Sequence, residues 1–305
     1  MPDQFSKNQD LAAFFCDSAE VSLNLFYVKE MDTFIEFQPD TKIYKILNDF
    51  SFFNKVFLFT KDHFSKNITT NLINDLRRQI KIFCHRQIDN FYTPYIALKD
   101  CFFNTTTLEF ENPTLEKIAF FVLPLTADEI KLASNFSFSE DSLFKKVLNK
   151  IIVNLNLETD LELQNFLQEF FGYCLLSTAK AEITFFLVGD GFNGKSTLLN
   201  LIKKIIGEEF CSEVRLKDLT EDRFASASLI GKKINFCDEE ESKFIESDVF
   251  KSLISSREMS IQRKFQDAFR ARLNIKFIFA TNEMPKFSGF NEGLLRRIKI
   301  IPFNR

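Results

Sequence analysis

The sequence predicts an α/β fold, with a parallel sheet and flanking helices over its second half and a smaller α+β, partly helical region before it. Three observations predict this. The apolar run Thr184 to Val188 leads into Gly189-Asp190-Gly191-Phe192-Asn193-Gly194-Lys195-Ser196, and Thr197 to Ile206 then repeats Leu and Ile at helical spacing. Two further short apolar runs, Lys233 to Cys237 and Ile275 to Ala280, each end in polar residues, as buried parallel strands do. The chain also changes character near its middle: all 8 glycines lie at or after position 172, and five of the 7 prolines at or before 124.

The first region, residues 1–140, reads as α+β. Leu23 to Lys29 and Thr33 to Phe37 look like two strands joined by a tight turn at Glu30-Met31-Asp32. Asn71 to Arg86 carries apolar residues at 72, 73, 76, 80 and 83, a helical spacing. Its basic residues (Arg77, Arg78, Lys81, His85, Arg86) suit either a DNA-facing surface or a solvated helix face. Thr159 to Glu162 reads as a capping box, opening a helix with one stripe at 163, 166, 167, 170, 171 and 174.

Composition narrows the function. The 305 residues suffice for two domains; 45% are hydrophobic and 27% charged, ordinary for a globular chain. No apolar run is long enough to cross a bilayer, and Met1 to Gln9 is too polar for a signal peptide, so no membrane partner and a cytoplasmic setting are expected. Six scattered cysteines, none at C-x-x-C spacing, and 2 histidines argue against structural zinc and for buried free thiols. With a net charge of -3, any nucleic-acid contact must come from local basic clusters. The 40 phenylalanines read first as core filling rather than base stacking.

Gly189 to Ser196 fits G-x-x-x-x-G-K-[ST] in the strand–loop–helix context that this motif needs. Glycines let the backbone wrap phosphate oxygens, and the helix N-terminus adds partial positive charge. Lys195 then reaches the β- and γ-phosphates and Ser196 offers a hydroxyl to Mg²⁺, with the binding run extending to Thr197. Asp238 and Glu239, at the end of an apolar strand, suit metal holding and activation of the attacking water respectively. Asn282, after Ile275 to Ala280, offers an uncharged amide to that water. The pair Arg296-Arg297 suits an arginine finger or a surface salt bridge. No Asn-Lys-x-Asp element is present, which argues against a GTPase.

Together, GDGFNGKST, KKINFCDEEE, FKSLISSREMSIQRKF, FIFATNEMP and GLLRRIKIIPF, in this order, resemble a superfamily 3 helicase of the phage/plasmid primase-helicase and poxvirus-NTPase type. The resemblance covers about 143–303; a softer one extends to Tyr95–Asp100 and Thr107-Leu108, as a strand pair ahead of the ATPase. It implies an AAA+-type core in a hexameric ring that binds ATP and Mg²⁺ between subunits and threads single-stranded DNA at a fork. By matching position it implies Lys195 and Ser196 in motif A, Asp238 and Glu239 in motif B, Asn282 as sensor, and Arg297, with Arg296 as near rival, as finger. Ser260 to Ile275 corresponds to the family's DNA-contacting hairpin, pointing to Arg263, Lys264, Phe269 and Arg270.

The resulting expectation is a helicase domain at 141–305 behind an associated region at 1–140. Relatives often carry a primase domain, for which 1–140 lacks room and a metal-binding carboxylate pattern, so a primase on a separate chain is expected. Relatives often continue past the finger into a winged-helix tail, so the chain reads as a truncated gene, a fragment or a minimal helicase. The competing readings are an ATP-gated DNA-binding or assembly module and, more weakly, a phosphate-loop kinase.

Overall fold

The computed structural model describes residues 7–18, 24–63, 68–84, 87–88, 93–114, 116–133, 142–238, 244–255, 258–264, 268–289 and 291–304. They form two compact units, Met1–Phe91 with Pro113–Phe120, and Tyr92–Asn112 with Phe121–Arg305. The second unit therefore begins upstream of residue 141 and takes in the segment around Tyr95.

In the first unit, α1 (Asn8–Asp17) precedes β1 (Leu25–Val28), β2 (Thr33–Gln38) and β3 (Ile43–Leu47), followed by α2 (Asp49–His63), α3 (Thr70–Phe83) and β4 (Gln87–Ile88). The sheet order is β3-β2-β1-β4, antiparallel except for the β1–β4 pair. The turn expected at 30–32 is a 3₁₀ turn over Lys29–Met31 closed by Asp32, whose φ of 45° lies in the left-handed region that Asp tolerates. Leu11, Phe15, Phe34, Phe52, Leu76 and Ile80 form the core, with the Phe34 and Phe52 rings stacked at 4.4 Å. The basic helix α3 is not a uniform charged face: Arg77 is buried and paired with Asp49, and Lys81 reaches Asp32 at 2.5 Å, while Arg78 is exposed. His85 and Arg86 lie outside the described residues.

The second unit opens with a three-stranded antiparallel sheet, β5 (Tyr95–Ala97), β6 (Phe102–Asn104) and β7 (Glu109–Glu111). Three helices follow: α4 (Ala127–Ala133), α5 (Leu143–Ile151) and α6 (Leu161–Leu175). Then come β8 (Thr184–Val188), α7 (Lys195–Ile206), β9 (Cys211–Ser212), α8 (Leu216–Glu221), β10 (Ile234–Cys237), β11 (Phe244–Ile245) and α9 (Ser247–Ile254). The chain continues with β12 (Glu258–Ile261), β13 (Phe269–Arg272), β14 (Lys276–Thr281), β15 (Lys286–Phe287), α10 (Glu292–Leu295) and β16 (Ile298–Pro302). Five of these strands make one parallel sheet in the order β16-β8-β14-β10-β9.

Strand alternation explains why this sheet is buried on both faces. Phe185, Leu187, Ile278 and Ala280 join α6 and α7 in one apolar layer, through Phe170, Leu198 and Ile202. Phe186, Phe277 and Phe279 face the other layer with Phe250, Phe287 and Leu294. Phenylalanine thus fills both faces of the sheet.

Helix α6 starts one residue later than its expected capping box. Thr159 forms an antiparallel bridge with Val153 and stays extended, so Asp160 is the cap and its carboxylate accepts from Leu163 N at 2.9 Å.

Candidate active site

The phosphate-loop residues lie where β8 ends and α7 begins. The β8–β14 pairing sets Val188 opposite Thr281, so Gly189 and Asn282 leave the sheet side by side, and Gly189 N donates to Thr281 O at 3.2 Å. One strand further, Cys237 pairs with Phe279, which puts Asp238 level with Ala280. Gly189, Asn282 and Asp238 therefore come off the same carboxyl edge of one sheet, where open α/β sheets bind ligands. Glu239, named for the attacking water, lies outside the described residues.

Local packing dictates two of the loop's three glycines. Gly194 has φ 97°, and a Cβ there would lie 2.7 Å from Ile151 Cγ2 of α5. A Cβ on Gly189 would lie 2.2 Å from the carbonyl oxygen of Phe303. Phe192 also adopts a left-handed φ of 62° with its ring fully exposed, a strained state for a non-glycine residue. Asp190 and Gly191 are exposed beside it.

Lys195 opens α7 and is buried. Its Nζ donates to Gly189 O at 2.5 Å, to Asp190 O at 2.8 Å and to Asn193 Oδ1 at 3.1 Å, so the ammonium sits inside the curl of the loop. Asn193, buried as well, donates through Nδ2 to Phe303 O at 3.0 Å. Ser196 and Thr197 are exposed on the first turn of α7, where amides lack intrahelical partners. Among the described residues no group of three or more His, Cys, Asp or Glu side chains gathers. Ser196, on the first turn of α7, and Asp238, just past β10, are the hard-oxygen side chains that the sequence named for a cation.

The arginine pair sits at the opposite edge of the sheet. Ile298 pairs with Thr184 at the start of β8, and Thr184 N donates to Arg297 O at 2.7 Å. A 5-residue strand separates this point from the loop, roughly 16 Å at ~3.3 Å per residue. Arg297 is buried, with its guanidinium on Glu182 Oε2 and Gly293 O, both at 2.7 Å, whereas Arg296 is exposed.

The segment named for DNA contact is a hairpin. β12 and β13 are antiparallel with Ser260 opposite Arg270 and Ile261 opposite Phe269. Ile261 and Ala271 are buried, so alternation turns Arg270 and Arg272 outward; Arg270 lies 3.9 Å from Glu258. Arg263 sits over the half-buried Phe269 ring at 4.9 Å, and Lys264 is exposed.

Sequence reasoning missed two buried lysines at the same edge as the arginines. Lys233 Nζ donates to Leu175 O at 2.7 Å and lies 3.7 Å from the centre of the Phe121 ring. Lys276 Nζ donates to Leu176 O. Both cap the C-terminal end of α6. Burial holds Lys276 down at about 8 and pushes Lys233 well below its ordinary value, the latter helped by repulsion from Lys276. A lysine at the mouth of an all-apolar strand was the available signal.

This fold and loop define an α/β protein with a P-loop-type core. Residues 187–297 match a family model described as "Family of unknown function (DUF5906)". The chain is 28% identical over 191 residues to an Acanthamoeba polyphaga mimivirus protein described as "Putative helicase L207/L206"; the match covers 58% of this chain and 19% of that one. Two solved structures, the A form apo structures of the NrS-1 C-terminal region, share the fold with TM-scores of 0.52 and 0.51 at 16% identity. Each comparison covers 92% of this chain and 58% of the other. The chain thus spans about a fifth of the viral protein and over half of the NrS-1 chains. No helix among the described residues is long and apolar enough to cross a membrane.

Proposed function

We propose that this chain is the motor of an ATP-dependent DNA helicase serving a virus, phage or plasmid, with residues 141–305 as the superfamily 3-type ATPase and 1–140 as an associated region. The observation that carries the reading is the common edge shared by the phosphate loop, Asn282 and Asp238, together with the likeness to a viral protein described as a helicase.

In this reading the amides of 189–197 cradle the phosphates of ATP, and Lys195 turns from the loop carbonyls to the β- and γ-oxygens. Ser196 and Asp238 hold Mg²⁺, which neutralises charge developing on the γ-phosphate. Glu239 accepts a proton from the attacking water and Asn282 orients it. The arginine pair lies a strand's length from its own loop, so it acts on the nucleotide of the next identical copy in a ring, with six copies expected. Within the pair, exposed Arg296 reaches across, and Arg297, tied to Glu182, holds the turn that presents it. Arg263, Lys264, Phe269 and Arg270 contact single-stranded DNA at the fork, primed by a separate chain in the cytoplasm.

The test is ATP hydrolysis with and without single-stranded DNA, in the wild type, Lys195→Ala and Arg270→Ala. The expected result is stimulation by DNA, abolition by Lys195→Ala, and loss of stimulation with basal hydrolysis kept in Arg270→Ala. Hydrolysis indifferent to DNA would favour an ATP-gated assembly module, and phosphate transfer to a small acceptor would favour a kinase.

A further inference from the structure

Strand alternation gives one face of the first unit's sheet two characters. Phe34, Glu36 and Gln38 of β2 share that face with Leu47 and Lys45 of β3, through the pairs Phe34–Leu47 and Glu36–Lys45. The Phe34–Leu47 end belongs to the apolar core with Phe15 and Phe52. The other end is polar, and there α1, α2 and the sheet leave an open cleft of about 660 Å³. That volume lies within the range of small-ligand sites, ~300–1,000 Å³.

The helix wall of the cleft is aromatic. Phe59 and His63 lie one turn apart on α2, and their rings stack at 4.4 Å with 24° between planes. Phe15 of α1 meets Phe59 edge-on at 4.9 Å, and Phe14 meets His63 edge-on at 5.2 Å. His63 Nδ1 lies 2.9 Å from Phe59 O. A carbonyl only accepts, so Nδ1 carries the proton and donates, which fixes the imidazole ring over Phe59. Phe59 is half-buried and His63 exposed, so the stack ends in an exposed ring at the cleft.

The sheet wall is polar. Lys55 of α2 pairs with Glu36 at 2.6 Å, and Gln38 Nε2 lies 3.5 Å from the same carboxylate. The charged side chains lining the cleft balance, with Glu36 and Asp62 against Lys45 and Lys55. A braced aromatic stack facing an amide and paired charges, without net charge, selects a flat, uncharged group with hydrogen-bonding edges.

We propose that this cleft is a nucleobase site. A purine or pyrimidine stacks on His63 as the next layer of the Phe59–His63 stack, with its polar edge toward Gln38 and Lys45. The sugar-phosphate stays outside, where the balanced charges do not hold it. The base belongs either to a free nucleoside or to a single strand. The site lies wholly in the first unit and stands without the phosphate-loop reading.

Fluorescence titration of the full chain tests it, in the wild type, His63→Ala, His63→Phe and Gln38→Ala. The probes are 2-aminopurine riboside, which has no phosphate for the loop to hold, and a short single strand carrying the same base. Stacking quenches this base. The expected result is quenching of at least one probe by the wild type, at least roughly fivefold weaker binding in His63→Ala, the low end for a lost base–aromatic stack, and recovery in His63→Phe. Quenching of the riboside identifies a site open to free nucleosides; quenching of the strand alone identifies a base held within a strand. No quenching of either probe by the wild type overturns the nucleobase site and leaves the ATPase reading standing, as does unchanged affinity in a folded His63→Ala. Loss in both His63 variants overturns the stacked geometry. If circular dichroism shows His63→Ala unfolded, Gln38→Ala decides: weaker binding supports the site, and unchanged binding overturns it.

Discussion

Asn193 joins Lys195 to Phe303. Its amide nitrogen donates to the Phe303 carbonyl at 3.0 Å while its oxygen accepts from the Lys195 ammonium at 3.1 Å. One side chain thereby fixes the phosphate loop to the residue that follows the last strand, 110 positions away in sequence.

Asn193→Ala should take from the buried Phe303 carbonyl its side-chain donor and remove one acceptor from Lys195. The expected cost is about 1–3 kcal/mol in stability, read by urea unfolding, with ATP affinity reduced by calorimetry. Asn193→Asp should be worse than Asn193→Ser for the Phe303 contact, because a carboxylate cannot donate to a carbonyl. Unfolding midpoints identical to wild type in all three would remove the brace.

Gly194→Ala meets two obstacles, a left-handed φ and the Ile151 methyl at 2.7 Å. It should destabilise by about 1–3 kcal/mol. The double variant Gly194→Ala/Ile151→Ala should recover part of that, since only the clash is relieved and the backbone strain stays. A double-mutant cycle measures the split; strict additivity would mean that Ile151 does not limit position 194.

Glu182→Ala should strand the Arg297 guanidinium, whose side chain is 8% exposed, and destabilise the chain by about 2–4 kcal/mol. Arg296→Ala should leave the unfolding midpoint unchanged yet depress ATP hydrolysis in the assembled protein. Thermal unfolding and turnover measured on the same samples separate the two arginines. A large stability loss in Arg296→Ala would reverse their roles.

The buried lysines make stability depend on pH in a definite direction. Lys276 titrates at about 8 when folded, against 10.5 ordinarily. Between those values the unfolded chain holds more protons, so stability rises with pH; below about 8 the penalty of the buried Lys276 cation is fully present and its own contribution to the slope vanishes, while Lys233, also lowered by burial, acts in the same direction. Cys174, pushed up to about 12 by burial, acts oppositely once its unfolded thiol ionises near 9. The clean window is therefore pH 8 to 9. Urea midpoints should rise across it in the wild type and stay flatter in Lys276→Met.

Four of the five parallel strands and the loop were legible in sequence because each rests on local chemistry; the two-residue β9 is too short to leave a pattern. Apolar runs give the strands at 184, 234, 276 and 298, and glycine spacing gives the loop. The cap of α6 came out one residue late, because a Thr159–Val153 bridge overrode a local capping pattern. The Asn193–Phe303 brace, the Arg297–Glu182 pair and the lysine caps on α6 join residues 58 to 115 positions apart, and no short-range pattern carries such pairings.

Strand β14 gives the unit a stiff connecting member. At one end it delivers Asn282 to the phosphate edge; at the other, Leu273 to Ile275 tie it directly to Arg272 of the hairpin. It is hydrogen-bonded on both flanks, to β8 and to β10. One strand held on both flanks is thus the rigid tie rod between Asn282 at one edge of the sheet and the basic hairpin at the other.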